Sequence, residues 1–319
     1  MADLFSKPLD KPLFERMVIV GVGLIGSSLL RAARQRNLVK TLVAADCSAD
    51  VCARVAEIGI ADEIFQDANQ AVRGADLVIL CTPVGNIGTV AAEIAPHLRA
   101  GAILSDVGSV KASVVAAVQP HLSQDVHFVP AHPVAGTEYS GPDAGFSTLF
   151  SERWCILTPP EGSDPDAVKK LQEFWTEIGS NVEIMTPAHH DLVLAITSHV
   201  PHLIAYNIVG TAADLEEVTQ SEVIKFSAGG FRDFTRIAAS DPTMWRDIFL
   251  NNKEAVLEML GRFNEDLAAL QRMIRWGDGQ GLSDLFTRTR AIRRSIIAQG
   301  QDAAAADFGR RGASGEKPQ

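Results

Sequence analysis

The chain has 319 residues, 46% of them hydrophobic and 21% charged, with a formal net charge of -10. This is the composition of an ordinary globular protein of about two domains, large enough to bury a core without staples. The acidic balance disfavours nucleic acid and anionic membranes, which need a basic face, but it does not exclude an anionic small substrate, because a few local cations can reverse the field inside one cleft.

Residues 1–15 read as a loose leader. Met17 to Leu30 is apolar and follows Lys11 and Arg16, as in a signal-peptide core. However, three glycines interrupt it and an Arg-rich helix follows without a small-residue cleavage site, so a signal peptide is rejected. Met17–Val20 is instead a short buried strand, followed by helical periodicity from about Ile25 to Gln35 and a second strand at Thr41–Ala45. Further strands are predicted at Leu77–Leu80, Ala102–Leu104 and Val126–Val129, with helices at 49–57, 86–98 and 110–121 between them. Alternating strand and helix predicts a doubly wound parallel α/β sheet of Rossmann type. Trp154–Leu157 and Asn181–Ile184 are candidate extra strands around a helix near 165–178. No run approaches the roughly 18 apolar residues of a membrane span. The cysteines Cys47, Cys52, Cys81 and Cys155 show no C-x-x-C pair and no metal-ligand spacing, as expected of reduced thiols in the cytoplasm.

After Pro187 strand patterns stop and long helical ones begin. The expected division is therefore 1–186 for the nucleotide-binding domain, 187–300 for an all-helical domain, and 301–319 for a disordered tail. Asp241-Pro242 is a helix start. Val256, Leu260, Phe263, Leu267, Leu270 and Ile274 form one apolar helix face, suited either to packing within the subunit or to a subunit interface.

Gly21-Val-Gly23-Leu24-Ile25-Gly26 fits G-x-G-x-x-G in its required setting, after a strand and opening a helix. Gly21 permits the tight turn, Gly23 lets a pyrophosphate approach the backbone, and Gly26 lets helix and strand pack closely. The helix N-terminus offers free N–H groups to phosphates. Asp46 ends the second strand, where a carboxylate accepts hydrogen bonds from ribose hydroxyls and repels a 2′-phosphate. No Arg or Lys follows in Cys47-Ser-Ala-Asp50, so the expected cofactor is NAD rather than NADP.

Ligands of an open parallel sheet bind beyond the carboxyl ends of its strands. Three tails should therefore face the cleft: Cys81-Thr82-Pro83-Val84, Asp106-Val-Gly-Ser109-Val-Lys111 and Pro130-Ala-His132-Pro-Val-Ala-Gly136-Thr-Glu138. His132 titrates near neutrality and suits removal of a hydroxyl proton as hydride leaves carbon; it could equally be a loop histidine bonded to the backbone. Ser109 could orient the same hydroxyl or cap the following helix. Lys111 reads as a first-turn residue, and Asp106 as one that fixes the loop. In the helical half, Thr197-Ser-His199-Val-Pro-His202 places two histidines in an apolar helix, without suitably spaced partners for a metal. Gly229-Gly-Phe-Arg232-Asp233-Phe-Thr-Arg236 carries two arginines whose forks suit a carboxylate.

Together these motifs, with His132-Pro-x-Ala-Gly-Thr-Glu138, Ser198-His-x-Pro-His202 and Trp245-Arg-Asp-Ile248, resemble the prephenate/arogenate (cyclohexadienyl) dehydrogenases of tyrosine biosynthesis, in order, from about residue 17 to 295. The resemblance implies oxidative decarboxylation of a small dicarboxylate cyclohexadienol, with His132 and Ser109 catalytic at the ring hydroxyl. It implies Arg236 on a substrate carboxylate, Asp191 paired with that arginine, and His202, Glu138 and Trp245 shaping or gating the pocket. It also implies a homodimer through the helical domain. No segment outside the resemblance is long enough for a fused regulatory or mutase domain, so feedback by tyrosine would have to act at the active site. Two rivals fit less well. A β-hydroxyacid dehydrogenase would carry a lysine where His189-His190-Asp191 stands, and a catalytically silent NAD sensor would not need His132, Ser109 and Arg236.

Overall fold

The computed structural model describes residues 8–137, 139–219 and 229–298. Strand β1 (Phe14–Val20) is the hub of a six-stranded, all-parallel sheet. It pairs on one side with β2 (Val39–Ala45) and on the other with β4 (Leu77–Leu80), so Val18 lies opposite both Val43 and Val78. Outward lie β3 (Glu63–Phe65), β5 (Ile103–Asp106) and β6 (His127–Phe128), giving the order β3-β2-β1-β4-β5-β6. The chain reverses direction across the sheet between β1 and β4, the switch point where such sheets bind ligands.

Because side chains alternate along a strand, β1 feeds two cores. Met17 and Ile19 join Leu29 and Leu30 of α1 (Leu24–Arg36), Leu42, Leu77, Phe174 and Trp175. Val18 and Val20 join Val43, Val78, Leu80 and Leu104 on the opposite face. The remaining sheet-domain helices are α2 (Ala49–Ile58), α3 (Ala68–Ala71), α4 (Val84–Ile94), α5 (Ala112–Val118) and α6 (Pro165–Glu177). Several caps are written in the sequence: the side chains of Ser48, Asp67 and Asp164 accept from first-turn N–H groups of α2, α3 and α6.

Two features depart from the expected strand pattern. Trp154–Leu157 and Asn181–Ile184 do not extend the parallel sheet. As β8 and β9 they form a separate three-stranded sheet with β7 (Ala131–Pro133), antiparallel at β7–β8 and parallel at β8–β9. His132 therefore sits within a strand, paired with Ile156, rather than in a loop.

The helices that follow are α7 (Pro187–Leu194), a π-helical turn (Ala195–His199), α8 (Val200–Thr219), α9 (Gly229–Thr235), α10 (Pro242–Asn251), α11 (Lys253–Trp276) and α12 (Gly279–Ala298). By compactness the chain separates at Met259/Leu260, well beyond the strand-to-helix change at 186–187. The reason is physical. Trp245 and Ile248 of α10 belong to the second sheet core, so the first helices of the second half are built onto the sheet.

The helical run Pro187–Leu215 is long and apolar enough by length and composition to cross a membrane. This goes beyond the sequence expectation, because scattered polar residues break the apolar run without lowering its average hydropathy much. Its buried polar side chains, His190, Asp191 and His199, hold it against the sheet domain, while Leu192, Ile196, Ile208 and Val209 are exposed. In α11, Val256 and Met259 are buried, whereas Leu267 and Ile274 of the predicted stripe are exposed.

Phe174 is fully buried and meets Phe14 and Trp175 edge-on. Phe174→Ala is expected to cost about 3–5 kcal/mol, read as a lower urea midpoint with an unchanged m-value.

Candidate active site

The dinucleotide cradle is built where β1, β2 and β4 end. Gly21 has φ +94, and a Cβ there would come within 2.8 Å of the Cys81 carbonyl oxygen, so neither the conformation nor the space admits a side chain. A Cβ at Gly26 would overlap the Gly21 carbonyl and approach the Ile19 side chain to 2.9 Å. Around Gly23, by contrast, a Cβ would meet nothing within 4 Å: it would project into open space before the α1 N-terminus. No side chain caps that terminus, with Leu24, Ile25 and Gly26 in its first turn, so its amides remain available to a pyrophosphate. Asp46 holds the turn from β2. Its Oδ2 accepts from Val22 N at 2.8 Å and its Oδ1 from Ser48 N at 2.9 Å, leaving each oxygen a further lone pair for a ribose hydroxyl. From β4, half-buried Thr82 carries a hydroxyl oxygen with no partner, and Pro83 caps α4. The residues present fit a dinucleotide.

Next to this cradle lies a buried polar cluster. Lys111 is fully buried; its Nζ contacts Asp106 Oδ2 at 2.5 Å and donates to Ala131 O at 2.7 Å, beside His132. Asp106 Oδ2 also accepts from Gly108 N at 2.8 Å, which fixes the loop that carries Ser109. Desolvation pushes the Asp106 carboxyl up and the Lys111 ammonium down, each opposed by the other's charge. His132 is buried, and its Nδ1 lies 2.8 Å from His190 Nε2. His190 Nδ1 lies 2.8 Å from Asp191 Oδ1. Asp191 Oδ1 also accepts from Lys111 N, and its Oδ2 from Ala112 N, both at 2.8 Å. Asn252 Nδ2 reaches back to Asp191 O at 2.9 Å and to His199 Nδ1 at 3.1 Å.

Burial holds all of these imidazoles neutral. Desolvation, with His190, Lys111 and His199 as neighbours, puts His132 well below the ordinary histidine value. His199 is lowered by burial to about 4. Burial also lowers His190 and His202, against a hydrogen bond donated to Asp191 in the first case and to the Ser198 carbonyl in the second.

His199 follows His190 by nine positions, which in a plain α-helix at about 100° per residue would set them on opposite faces. The π-helical turn at Ala195–His199 rotates less per residue and turns His199 back toward Asn252 and Asp191. Pro201 gives a local reason: its ring has no N–H and crowds the carbonyl four residues earlier, within that turn.

Residues 29–184 match the nucleotide-binding domain of prephenate dehydrogenase, and residues 186–288 match its dimerization domain. The cyclohexadienyl dehydrogenase of Zymomonas mobilis is 42% identical over 89% of this chain and 97% of its own length. The prephenate dehydrogenase of Bacillus subtilis is 31% identical over 88% of this chain and 76% of its own. The chain belongs to the prephenate dehydrogenase family. Its fold agrees: the A. aeolicus prephenate dehydrogenase, solved with hydroxyphenyl propionate and NAD+, superposes with a TM-score of 0.83, at 32% identity over 88% of this chain and 98% of that one.

Within this family member, the cradle residues, Thr82, Pro83 and Ser109 follow the ends of strands of the parallel sheet, whereas His132 lies inside β7 of the smaller sheet. His202 donates from Nδ1 to Ser198 O at 2.8 Å and stacks on Trp245 at 3.6 Å between centroids. Trp245 is buried, and its indole nitrogen has no partner. Arg236 is exposed, begins a short turn after α9, and lies near enough to His202 to depress its basicity. Glu138 lies outside the described residues.

Two expectations are corrected. Asp191 is not paired with Arg236: both of its oxygens are taken by the N-terminus of α5 and by His190, which is why it is buried. Ser109 does not cap α5 by its side chain; that helix begins at Ala112 and is capped from across the cleft by Asp191. His190, Lys111 and Asn252 escaped the sequence reading as members of the site. His190 had one signal, its place beside Asp191; Asn252 had none.

Histidines neutral when folded but ordinary when unfolded bind protons preferentially in the unfolded chain. Stability should therefore be full above the unfolded value, about 6.5, and fall as pH drops below it, toward the folded value of about 4 for His199. His199→Gln should flatten this acid limb of urea midpoint against pH by up to about one proton's worth of slope.

Proposed function

We propose that His132 is the base of an NAD-dependent oxidative decarboxylation of prephenate, or of arogenate, in a homodimer of the cytoplasm. The observation that carries the reading is a neutral, buried imidazole on the strand β7 that leads out of the nucleotide-binding sheet, hydrogen-bonded through Nδ1. An imidazole that is already neutral can accept a proton without first losing one.

When bound, NAD supplies the acceptor for hydride from the ring carbinol carbon. His132 Nε2 takes the hydroxyl proton as that hydride leaves. Ser109, on the turn fixed by Asp106, hydrogen-bonds the same oxygen and keeps it directed at the imidazole. The dienone so formed loses carbon dioxide from the ring carboxylate; the freed electron pair enters the ring and aromatises it. The phenolate oxygen then recovers the proton from His132, so the base is regenerated. Aromatisation and gas release make the step effectively irreversible.

The substrate brings two carboxylates into a chain of net charge -10. Arg236 has no ion pair with any described residue and stands beside His202 and Trp245, so its fork is available to a substrate carboxylate. The stacked His202–Trp245 pair forms a flat wall against which a six-membered ring can lie. Support for the homodimer comes from the match to a dimerization domain and from the exposed apolar rows on α7, α8 and α11. Free thiols at Cys47, Cys52, Cys81 and Cys155 fit a reducing cytoplasm.

The direct test is steady-state turnover: NADH and carbon dioxide should form in equal amounts with prephenate or arogenate, and not with 3-hydroxy acids. Purified protein that binds NAD yet is inert toward both cyclohexadienols would overturn the reading. His132→Gln should lower kcat by on the order of 10²–10⁴ with little change in NAD affinity; equal weakening of both would point to a folding role. Arg236→Ala should raise KM for the dicarboxylate roughly 10–100-fold, the worth of one charged hydrogen-bonded contact, and an unchanged KM would remove Arg236 from the pocket.

A further inference from the structure

The chain Asp191–His190–His132 fixes the position of every proton in it. Both oxygens of Asp191 already accept backbone N–H groups, from Lys111 and Ala112, so toward His190 the carboxylate is again the acceptor. His190 Nδ1 therefore carries the hydrogen. A buried neutral imidazole holds one proton only, so His190 Nε2 is bare and must accept. Its partner at 2.8 Å is His132 Nδ1, which donates. The single proton of neutral His132 is thus on Nδ1, and its Nε2 is a free lone pair.

We infer that His190 is a positioning residue for the reaction: with Asp191 behind it, it sets the tautomer and ring orientation of His132 so that Nε2, and not Nδ1, faces the substrate hydroxyl. The inference deepens the assignment of His132 as base and rests on it. The geometry favours a rigid arrangement. The two rings meet edge-on at 69° with centroids 5.0 Å apart, and His190 is fully buried on α7 while His132 is held in a strand by pairing with Ile156. The charge pattern also fits. When Nε2 takes the hydroxyl proton, burial and the neighbouring His190 and Lys111 disfavour the charge on His132, and the hydrogen-bonded chain through His190 connects that ring to the Asp191 carboxylate. No second proton needs to move: His132 keeps its Nδ1–H, His190 keeps its own, and the chain orients and stabilises. Asp106 bonds Lys111 and the Gly108 amide through Oδ2, and it is Asp191 that the hydrogen bonds connect, by way of His190, to the base.

The tautomer can be read in the native protein. In the NAD-bound holoenzyme labelled with ¹⁵N-histidine, the His132 ring, assigned by loss of its signals in His132→Gln, should show a protonated Nδ1 and a bare Nε2 near pH 7. A His132 protonated on Nε2 would sink the inference. Kinetics give the second measurement. His190→Phe removes the acceptor while keeping a flat ring. It should lower kcat by up to about 10⁴-fold, by analogy with losing the orienting member of a catalytic triad, leave KM for NAD within about twofold, and shift the pH at which turnover falls on the acid side. His190→Gln, whose amide oxygen can still accept from His132 Nδ1, should recover part of that loss. A His190→Phe enzyme with native kcat and pH profile would overturn the inference. If His132→Gln itself retained turnover, the assignment of the base would fall instead, so the two failures are distinct.

Discussion

The carboxylate of Asp191 is the joint on which the site depends. One side chain closes the N-terminus of α5, through Lys111 N and Ala112 N, and holds His190 at the same time. Its own carbonyl is bound by Asn252, from the far end of α10. Three segments far apart in sequence thus meet at one residue: the turn after β5, the start of the helical half, and the α10–α11 junction. An isolated buried carboxylate would be costly, but this one receives backbone donors on both oxygens. The helical half is thereby seated on the sheet domain next to the turn that follows β5.

A second consequence is electrostatic. The fully buried Lys111–Asp106 pair brings no net charge, and its value is geometric: Lys111 fixes the backbone at Ala131, one residue before His132, while Asp106 fixes the turn before Ser109. Such a pair contributes little to stability against an apolar alternative. What it does is fix the backbone on either side of the cleft that carries His132 and Ser109. Around it, burial keeps the histidines neutral, and Arg236 stands nearer the surface.

The nucleotide-binding half was legible in the sequence because its chemistry is local. Gly21, Gly23, Gly26 and Asp46 sit within one strand–helix–strand unit, where strand period, turn glycines and the acidic strand end all report on the same structure. The helical half was legible as helix, but not in its contacts. The roles of His190, Lys111 and Asn252 arise from contacts across 58, 20 and 61 residues of chain. Periodicity carries no information at that range. Lys111 illustrates the limit: a lysine after Gly-Ser-Val reads as a solvated first-turn residue, and only the tertiary structure brings Asp106 and Ala131 around it. Asp191 shows the converse, since its importance was anticipated but its partner was not.

The π-helical turn explains why a single helical run can serve both the base and the pocket wall. His190 and Asp191 precede it and face the sheet; His199 and His202 follow it and face Asn252 and Trp245. A regular α-helix through the same sequence would carry one of these pairs away from the cleft. The change of phase brings His199 to the side of Asn252 and Asp191. Leu192, Ile196, Ile208 and Val209 stay exposed, among the polar side chains of Thr197, Asn207 and Thr211. Straightening the helix to improve its own hydrogen bonding would therefore cost the buried cluster the contact between His199 and Asn252.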